Sequence, residues 1–502
     1  MNFSFVFSSS NRTGRFIRML TTSNINMLAT AAYMIGLIPI VLHFTSVAEL
    51  GLWTLVVQFT TYLGLVDAGV YASCVRRFVG PVARKEILAL RIIFKTAFIV
   101  SFIQGAFCCF LGLLAYPIGL LLGIGPEKLP VFSHVLFVQV LLVGLFFLIR
   151  PFSSLLFAAQ RYEINNIVSS LSMLLSLALI WCGLRYGIGL WALPLASLFQ
   201  QVCSSFATFF MVRKLDLLPA TWRQERTTWK GVADLFMEAF DYFSWSGFSM
   251  AGSAVQSVFL SRFLGLEVVA VWNVGSKLAS FAYMLFSNLL NNAFMGLSEL
   301  FERGETKKSF ATFLSLFLSS LTFLAVFAGF SIFFNEIFIS LWTHKQISFP
   351  ASCTVVVFTW LILASLIRAL ACFSNIWQHR PTMRIGPIIE FTSLCVFLGI
   401  SLLSPSLFWF SFALMASQIP ALFIIYAPSI LFVGKNLQIR LSKNQWIIVL
   451  TSMIPFLISM MTLLTAIPFP QSILIISFSS LPWIYFFLRD LRSFVLPLSH
   501  QS

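Results

Sequence analysis

The sequence predicts an all-α integral membrane protein with about fourteen transmembrane helices, arranged as two pseudo-symmetric six-helix lobes plus two C-terminal helices. Composition is the first reason, because 59% of the 502 residues are hydrophobic, 10% are charged and 57 are phenylalanine. A soluble core cannot bury that much apolar surface, so lipid must be the main solvent. The second reason is that apolar stretches of about 20 residues, long enough to cross a bilayer, recur along the whole chain.

These apolar stretches predict the spans in order. Arg12, Arg15 and Arg18 precede the first stretch, which is long enough to span, so it is predicted to anchor the chain and not to be a cleaved signal peptide. The predicted spans lie at 24–44, 50–70, 92–115, 131–158, 164–186, 188–212, 246–264, 268–300, 310–342, 351–377, 385–403, 406–433, 446–466 and 470–488.

The distribution of basic residues predicts the orientation. The chain has 32 Lys and Arg against 17 Asp and Glu, a net charge of +15. Nearly all of the basic residues outside the spans lie at the two ends of the chain or in every second loop. Since cytoplasmic loops are enriched in Lys and Arg, both termini are predicted to be cytoplasmic. The positive charge is therefore read as a topology signal, and no nucleic-acid partner is expected.

A polar segment divides the chain. Residues 1–212 are predicted to form the N-terminal six-helix lobe, 246–434 the C-terminal lobe, and 435–502 two additional helices with a cytoplasmic tail. The linker 213–245 contains Asp234, Glu238 and Asp241 at helical spacing, with apolar residues largely on the other faces, which is typical of an amphipathic helix at a membrane interface.

A weak internal repeat supports the two halves. Phe44 and Trp53 match Phe263 and Trp272 at one constant offset, and nearly the same offset relates Arg150 to Arg368. Transporters are often built from such structural repeats, with the substrate site near the middle of the membrane.

Nothing in the sequence indicates catalysis. The five histidines are scattered, and no phosphate-binding loop, zinc-protease motif or nucleophile elbow is present. The eight cysteines lie in or beside apolar stretches without metal-ligand spacing, so they are interpreted as small apolar residues. We therefore predict that the protein is not an enzyme and holds no cofactor or metal.

The sharpest functional clues are basic residues inside predicted spans. Lys277 lies about ten residues from the end of its span, roughly 15 Å deep, and Arg150 and Arg368 are similarly distant from the cytoplasmic ends of theirs. A charge at such depth is costly and is expected to face a cavity or a paired charge. Gln58, which the repeat relates to Lys277, and Asn273, one turn before it, would add uncharged hydrogen bonds, although helix packing explains these two residues equally well.

Three acidic residues complete the set of candidates. Asp67, Glu299 and Glu390 lie near the inner ends of spans, where they would pair with the arginines or carry protons. Carboxylates at helix ends also often simply meet water, and this alternative stays open.

The second predicted span carries a family resemblance. Residues 50–70 (LGLWTLVVQFTTYLGLVDAGV), followed by Arg76, Arg77 and Phe78, resemble the second helix and following loop of polysaccharide biosynthesis proteins. In the second half, the segments RFLG at 262–265 and VWNV at 271–274 resemble the seventh and eighth helices of the same family. These proteins are oligosaccharide flippases of the multidrug/oligosaccharidyl-lipid/polysaccharide (MOP) exporter superfamily.

The resemblance implies a function and a set of partners. It implies a V-shaped pair of six-helix lobes that move an isoprenoid-pyrophosphate-linked oligosaccharide to the periplasmic leaflet of the bacterial inner membrane by alternating access. Arg150, Lys277 and Arg368 would contact the pyrophosphate, and membrane lipid and other polysaccharide-assembly proteins are expected partners. Flippases for the peptidoglycan precursor carry an Arg-Asp pair in the first helix, which residues 24–44 lack. This departure favours O-antigen or another surface glycan.

Three alternatives remain at this stage. A cation-coupled drug exporter of the same superfamily would prefer a cavity rich in acidic and aromatic residues. A membrane glycan polymerase or ligase normally needs a sizeable periplasmic loop, whereas the longest predicted external loop, 116–130, is small. A non-transporting membrane scaffold would use the intramembrane charges only for structure.

Overall fold

A computed structural model describes residues 12–429 except 68, 160, 218–221, 223–228 and 377–379. Its regular structure is entirely helical, with no strand in this described part of the chain. Ten of the helices are long and apolar enough to cross a membrane, and one bent pair raises the number to eleven. The predicted all-α membrane fold is confirmed. The predicted spans at 446–466 and 470–488 lie outside the described residues.

The chain divides into two compact units between Ala270 and Val271. In the first unit α1 packs on α8, α8 on α9, α4 on α6, and α3 on α7. Its helices are α1 Arg12–Phe44, α2 Val47–Tyr62, α3 Val70–Arg84, α4 Ile87–Gly112, α5 Ala115–Leu121, α6 Leu129–Phe147, α7 Arg150–Ala158, α8 Glu163–Arg185, α9 Ala192–Lys214 and α10 Trp229–Phe259.

In the second unit α15 packs on α16, while α14 contacts α12, α13 and α16. Helix α11, Leu266–Gly275, contains the position at which the chain divides. The helices that follow are α12 Lys277–Glu302, α13 Thr306–Trp342, α14 Ala351–Ile376, α15 Arg380–Ser401 and α16 Leu407–Ala421, which continues into a π-helical turn, Leu422–Tyr426.

The second span is tightened at its end. Helix α2 starts with a capping box, in which Ser46 Oγ accepts from the Glu49 amide at 3.2 Å and Glu49 accepts from the Ser46 amide at 2.9 Å. It ends in a 3-10 segment, Leu63–Asp67, before Gly69 turns the chain with a φ of 79°. Because a positive φ is easily accessible only to glycine, the span ends here and α3 starts in a new direction.

The fourth predicted span, 131–158, is not one continuous helix. Helix α6 ends at Phe147 and α7 begins at Arg150. Pro151 lacks an amide hydrogen and cannot donate to the Phe147 carbonyl one turn earlier, so the α-helical hydrogen bonding is interrupted here. The break places Arg150 at the first residue of a helix instead of in the middle of one.

The predicted linker and seventh span also differ from expectation. Helix α10 begins inside the predicted linker and continues without a break to Phe259. Its Val232 and Leu235 are buried in a core cluster with Val70, Phe78 and Phe94 of the first unit, while Asp234 is exposed. The side chains of Glu238 and Asp241 lie outside the described residues. A lobe boundary in 213–245 and a placement at the membrane interface stay predictions.

Candidate polar site in the membrane

Arg150 is held by two neighbours at the break in the fourth span. Its Nη1 donates to Oδ1 of Asp67 in an ion pair, with side chains 31% and 19% exposed. Its guanidinium carbon lies 3.8 Å from the centroid of the Phe147 ring, a cation–π contact. Asp67 therefore neutralises Arg150 inside the first unit, and the aromatic ring covers one face of the guanidinium.

Gln104 fixes the segment that carries Asp67. This side chain is 3% exposed, and its Nε2 donates to the carbonyl of Val66 at 2.6 Å and to the carbonyl of Asp67 at 3.1 Å. A 3-10 turn leaves carbonyls at its end without helical partners, and the amide of Gln104 satisfies two of them. Gln104 thus positions the acidic partner of Arg150, a role that the sequence analysis missed.

A polar cavity of about 400 Å³ adjoins Arg150 within the first unit. Hydroxyl and amide groups dominate its wall, and several belong to α9. Asn165 orients two of the hydroxyls, because its Oδ1 accepts from Ser204 at 3.1 Å and from Thr208 at 2.8 Å. The lining residues are Thr60, Thr61, Gly64, Val143, Phe146, Ile149, Arg150, Ser153, Tyr162, Gln201, Ser204, Ser205 and Thr208.

Gln58 belongs to a separate hydrogen-bonded group in the first unit. Its Oε1 accepts from Ser257 Oγ at 2.6 Å, and the hydroxyl of Tyr62 lies 2.7 Å from the same Ser257 oxygen. When Ser257 donates to Gln58, Tyr62 is the donor to Ser257. This chain of polar contacts joins α2 to α10, so Gln58 has a packing role here, as well as any role toward a substrate.

Lys277 stands at a bend in the eighth span. Helices α11 and α12 meet at Ser276 with an angle of 51°, and Lys277 is the first residue of α12. Its Nζ donates to Oδ1 of Asn273 at 3.3 Å. The structure therefore brings the candidates Lys277 and Asn273 into contact. The eighth span, which the sequence predicted to be continuous over 268–300, is instead broken at Ser276.

The bend itself has a structural cause that the sequence analysis did not identify. A Cβ at Gly275 would lie 2.0 Å from the Phe349 ring, so only glycine fits. Asn335, fully buried in α13, donates from Nδ2 to the Gly275 carbonyl at 3.1 Å. A side-chain donor that satisfies a freed carbonyl is a recognised cause of helix bending. In the sequence, the sign of this cause is the amide side chain of Asn335 within a long apolar run.

Arg368 and Glu390 lie in the second unit around two tyrosines. Arg368 is inside the continuous α14, so the break at Arg150 has no counterpart here. Tyr283 and Tyr426 are both within electrostatic range of Arg368 and Glu390. Glu390 Oε1 accepts from the hydroxyl of the fully buried Tyr426 at 2.6 Å.

The approach of Tyr426 to Glu390 needs a glycine on α15. A Cβ at Gly386 would lie 2.5 Å from the tyrosine hydroxyl oxygen. Asp67 thus forms an ion pair with Arg150 in the first unit, whereas in the second unit Glu390 and Arg368 lie near the same two tyrosines. The side chain of Glu299, the remaining acidic candidate, lies outside the described residues.

Comparisons with known proteins show the fold. No protein-family model matches the sequence, and no curated protein matches it. Among solved structures, the lipid II flippase MurJ in an inward closed conformation is similar with a TM-score of 0.64 and 16% identity, covering 94% of this chain and 99% of that one. A multidrug resistance MATE transporter of the MOP superfamily, in an inward-facing conformation, has a TM-score of 0.62 and 13% identity over 84% and 98%.

A third similar structure is a MOP superfamily transporter from Pyrococcus furiosus, described as having a binding pocket of reverse polarity. Its TM-score is 0.59 at 14% identity, over 84% of this chain and 96% of that one. The chain therefore has the fold of MOP superfamily transporters and is a multi-pass membrane protein. These neighbours are transporters and a flippase, not enzymes. One is a lipid II flippase and another a multidrug resistance transporter, so the shared fold does not distinguish between these two kinds of transport.

Proposed function

We propose that this protein moves an isoprenoid-pyrophosphate-linked oligosaccharide from the cytoplasmic to the periplasmic leaflet of the bacterial inner membrane by alternating access. The substrate would be an O-antigen or another surface-glycan repeat unit. The observation that carries this proposal is the polar cavity within the first unit, whose wall contains Arg150 and many hydroxyl groups. The fold shared with a lipid II flippase is compatible with this class of substrate, but it does not select it, because multidrug transporters share the fold as well.

Arg150 is suited to bind a pyrophosphate. A guanidinium has five N–H donors, and its planar geometry matches phosphate oxygens. The Phe147 ring covers a face of the guanidinium, and hydrogen-bond donors point along its edges, away from that face. Asp67 accepts from one of these nitrogens, and our proposal is that phosphate binds the remaining in-plane donors and displaces the carboxylate, so that Arg150 exchanges one anionic partner for another when substrate arrives.

The hydroxyl-rich wall is suited to a glycan. Thr60 and Thr61 donate their hydroxyl hydrogens to carbonyls one turn back in α2, at 2.7 and 2.8 Å. Their oxygen lone pairs stay available to accept from sugar hydroxyls. Ser153 and Ser205 add further hydroxyls to the same wall. Such a surface binds many hydroxyl groups without requiring a particular charge.

The second unit supplies further cations. We assign Lys277 and Arg368 to the pyrophosphate as well, with Asn273 and Gln58 as uncharged contacts. Glu390 is assigned the role of proton carrier because its described partner is a hydroxyl, which can relay a proton. Asp67 is assigned the role of exchangeable partner of Arg150, and other polysaccharide-assembly proteins of the membrane are expected to deliver or take up the glycan.

A drug exporter of the same superfamily is the second candidate, because the fold is shared equally with MATE transporters. A cationic drug requires acidic or aromatic groups in the cavity wall. The charged residue that lines this polar cavity is an arginine, and its acidic partner Asp67 is already engaged. The cavity chemistry therefore favours an anionic headgroup.

The test is a leaflet-accessibility assay in proteoliposomes. A radiolabelled lipid-linked oligosaccharide is incorporated, and an enzyme added outside cleaves the glycan that it can reach. We expect wild-type protein to raise the cleaved fraction above the half that empty vesicles expose, and Arg150→Gln to lower the rate about tenfold or more. This magnitude is that of one lost charge-assisted hydrogen bond.

Arg161→Gln is the matched control. Arg161 also pairs with a carboxylate, Glu163, at 3.6 Å and is 30% exposed, but it does not line the cavity. This variant should keep the wild-type rate. Equal loss in both variants would contradict a specific role for Arg150. Efflux of a cationic dye together with no effect on the oligosaccharide would establish the drug exporter instead.

A further inference from the structure

The hydroxyl groups on the α2 side of the polar cavity are already committed as donors. Thr60 and Thr61 each donate to a backbone carbonyl one turn earlier, at 2.7 and 2.8 Å. A hydroxyl has one hydrogen and two lone pairs, so each of these groups can offer only lone pairs to a ligand. The α2 side of the cavity therefore presents oxygen acceptors.

Asn165 commits two hydroxyls of α9 in the same way. Its Oδ1 accepts from Ser204 at 3.1 Å and from Thr208 at 2.8 Å, and both of these residues line the cavity. The side chain of Asn165 is itself buried, at 4% exposure, so the packed helices hold this arrangement. Ser204 and Thr208 therefore also meet a ligand as acceptors, and Asn165 is the residue that orients them.

Few donors are left in the described wall of the cavity. Arg150 is its only charged lining residue, and the guanidinium is assigned to the pyrophosphate. The uncharged donors that remain belong to Tyr162, Gln201 and Ser205, because Ser153 also donates to a backbone carbonyl, at 3.4 Å. Acceptors thus outnumber the donors that are available to the sugars.

We propose that this wall selects a neutral sugar at the position next to the pyrophosphate and rejects an acidic one. This assignment rests on the proposed function and adds the class of glycan that the cavity accepts. A sugar hydroxyl both donates and accepts, so it pairs with the acceptors and with the donors of the wall. An ionised carboxylate only accepts, so most wall oxygens would meet it lone pair to lone pair. It would lose its water without gaining hydrogen bonds, which is costly.

The size of the cavity limits the selection to the first sugars. Its volume of about 400 Å³ lies near the lower end of the range of about 300–1,000 Å³ for pockets that enclose drug-sized ligands. A pyrophosphate with one or two sugars is a ligand of that size, and a longer repeat unit extends beyond the cavity. The selection therefore applies to the sugar beside the pyrophosphate, and acidic sugars further along the repeat unit are compatible with it.

A matched pair of lipid-linked disaccharides tests the selection. Both probes end in the same galactose, which the added enzyme releases, and their first sugar is either glucose or glucuronic acid. The probes therefore differ only in one group, a hydroxymethyl in the first and a carboxylate in the second. In the leaflet-accessibility assay at neutral pH, we expect wild-type protein to flip the glucose probe about tenfold or more faster, as a desolvated carboxylate without donors implies.

Two substitutions of Thr61 test whether the wall makes the selection. Valine keeps the shape of threonine and removes the acceptor, so Thr61→Val should slow the glucose probe about threefold to tenfold, as loss of one hydrogen bond implies. The glucuronic acid probe should change little in this variant. Thr61→Lys places a cation in the same wall, so it should speed the glucuronic acid probe about tenfold. A misfolded protein cannot produce such a gain.

Thr30→Val is the matched control. The hydroxyl of Thr30 donates to a backbone carbonyl one turn earlier in α1 at 2.8 Å, as Thr61 does in α2, but Thr30 does not line the cavity. Both probes should flip in this variant at the wild-type rates. An equal loss in Thr30→Val and Thr61→Val would show that the helix bond matters and not the wall, and would overturn the proposal.

The two probes also separate the possible failures. Equal flipping of both probes by wild-type protein would overturn the selection and leave the proposed function intact. A preference for glucose that neither Thr61→Val nor Thr61→Lys changes would overturn the assignment of the selection to this wall. Failure of wild-type protein to flip either probe would remove the proposed function and, with it, the selection.

Discussion

The two units each place a basic residue at the start of a helix after a break in a span, but they balance its charge differently. Arg150 faces the carboxylate of Asp67, whereas Lys277 donates to the amide oxygen of Asn273 at 3.3 Å. The first contact is electrically neutral as a whole, whereas the Lys277 contact carries a positive charge when the lysine is protonated, since none of the described carboxylates is seen to pair with it. We infer that Arg150 works by exchanging partners, whereas Lys277 offers a standing charge to an anion.

The causes of the two breaks also differ. In the fourth span a proline follows Arg150 and removes one backbone donor, so the break is encoded locally. In the eighth span Gly275 is pressed against Phe349, and Asn335 of α13 satisfies its carbonyl. The second break therefore depends on neighbours that are distant in sequence, and it should be easier to remove by a mutation elsewhere.

The largest effect is expected at Lys277. Replacement by methionine keeps the length of the side chain and removes the standing charge, so flipping of the lipid-linked oligosaccharide should fall about ten- to a hundredfold, as loss of a charged hydrogen bond implies. Lys277→Arg should retain more activity than Lys277→Met. The leaflet-accessibility assay at matched expression measures the flipping rates of both variants. Equal rates for Lys277→Met and wild type would contradict the proposed role of the Lys277 charge.

Asp67→Asn tests the exchange of partners at Arg150. Loss of the carboxylate leaves the partly buried Arg150 without its hydrogen-bond acceptor, which should destabilise the protein by about 1–3 kcal/mol. The double variant Asp67→Asn with Arg150→Gln should be less destabilised than the sum of the two single variants. Thermal unfolding in detergent, arranged as a double-mutant cycle, measures this coupling, and strict additivity would show that the pair does not matter for stability.

Asn335→Leu should weaken the bend before Lys277. The Gly275 carbonyl would lose its buried donor, which costs about 1–3 kcal/mol. Thr354→Val is the control, because this hydroxyl contacts the same asparagine only at 3.4 Å. The thermal unfolding temperature and the flipping rate should both fall for Asn335→Leu and change little for Thr354→Val. Unchanged flipping in Asn335→Leu would separate the bend from transport.

The smallest effect is expected at Tyr426, whose neutral hydroxyl donates a hydrogen bond to the acidic residue Glu390. Tyr426→Phe removes one hydrogen bond and should cost about 1 kcal/mol. If Glu390 carries the coupling proton, Glu390→Gln should flatten the pH dependence of flipping, whereas Tyr426→Phe should shift it. A pH profile of Glu390→Gln that retains the wild-type shape would remove the coupling role.

Some features of the site could be predicted because they depend on composition and spacing. The rarity of charge in long apolar runs was enough to single out Arg150, Lys277 and Arg368, since each such charge is costly in a membrane. Asn273 was selected because it lies one helical turn before Lys277, and the structure places the two side chains in contact. Their role toward a substrate stays a proposal.

Other features were out of reach because they depend on contacts between distant segments. Gln104 and Asn335 look like ordinary polar residues of apolar helices, and only the packed structure shows that each satisfies backbone carbonyls of another element.

The sequence by itself determined that the chain is an all-helical membrane protein and which charged residues enter its spans, because hydropathy acts on each segment independently of the others. The tertiary structure decided where the described spans break and which partners Arg150, Lys277 and Glu390 contact. The physical reason is that helix bends, ion pairs and cavities are set by packing between segments far apart in sequence, for which a local pattern carries no information.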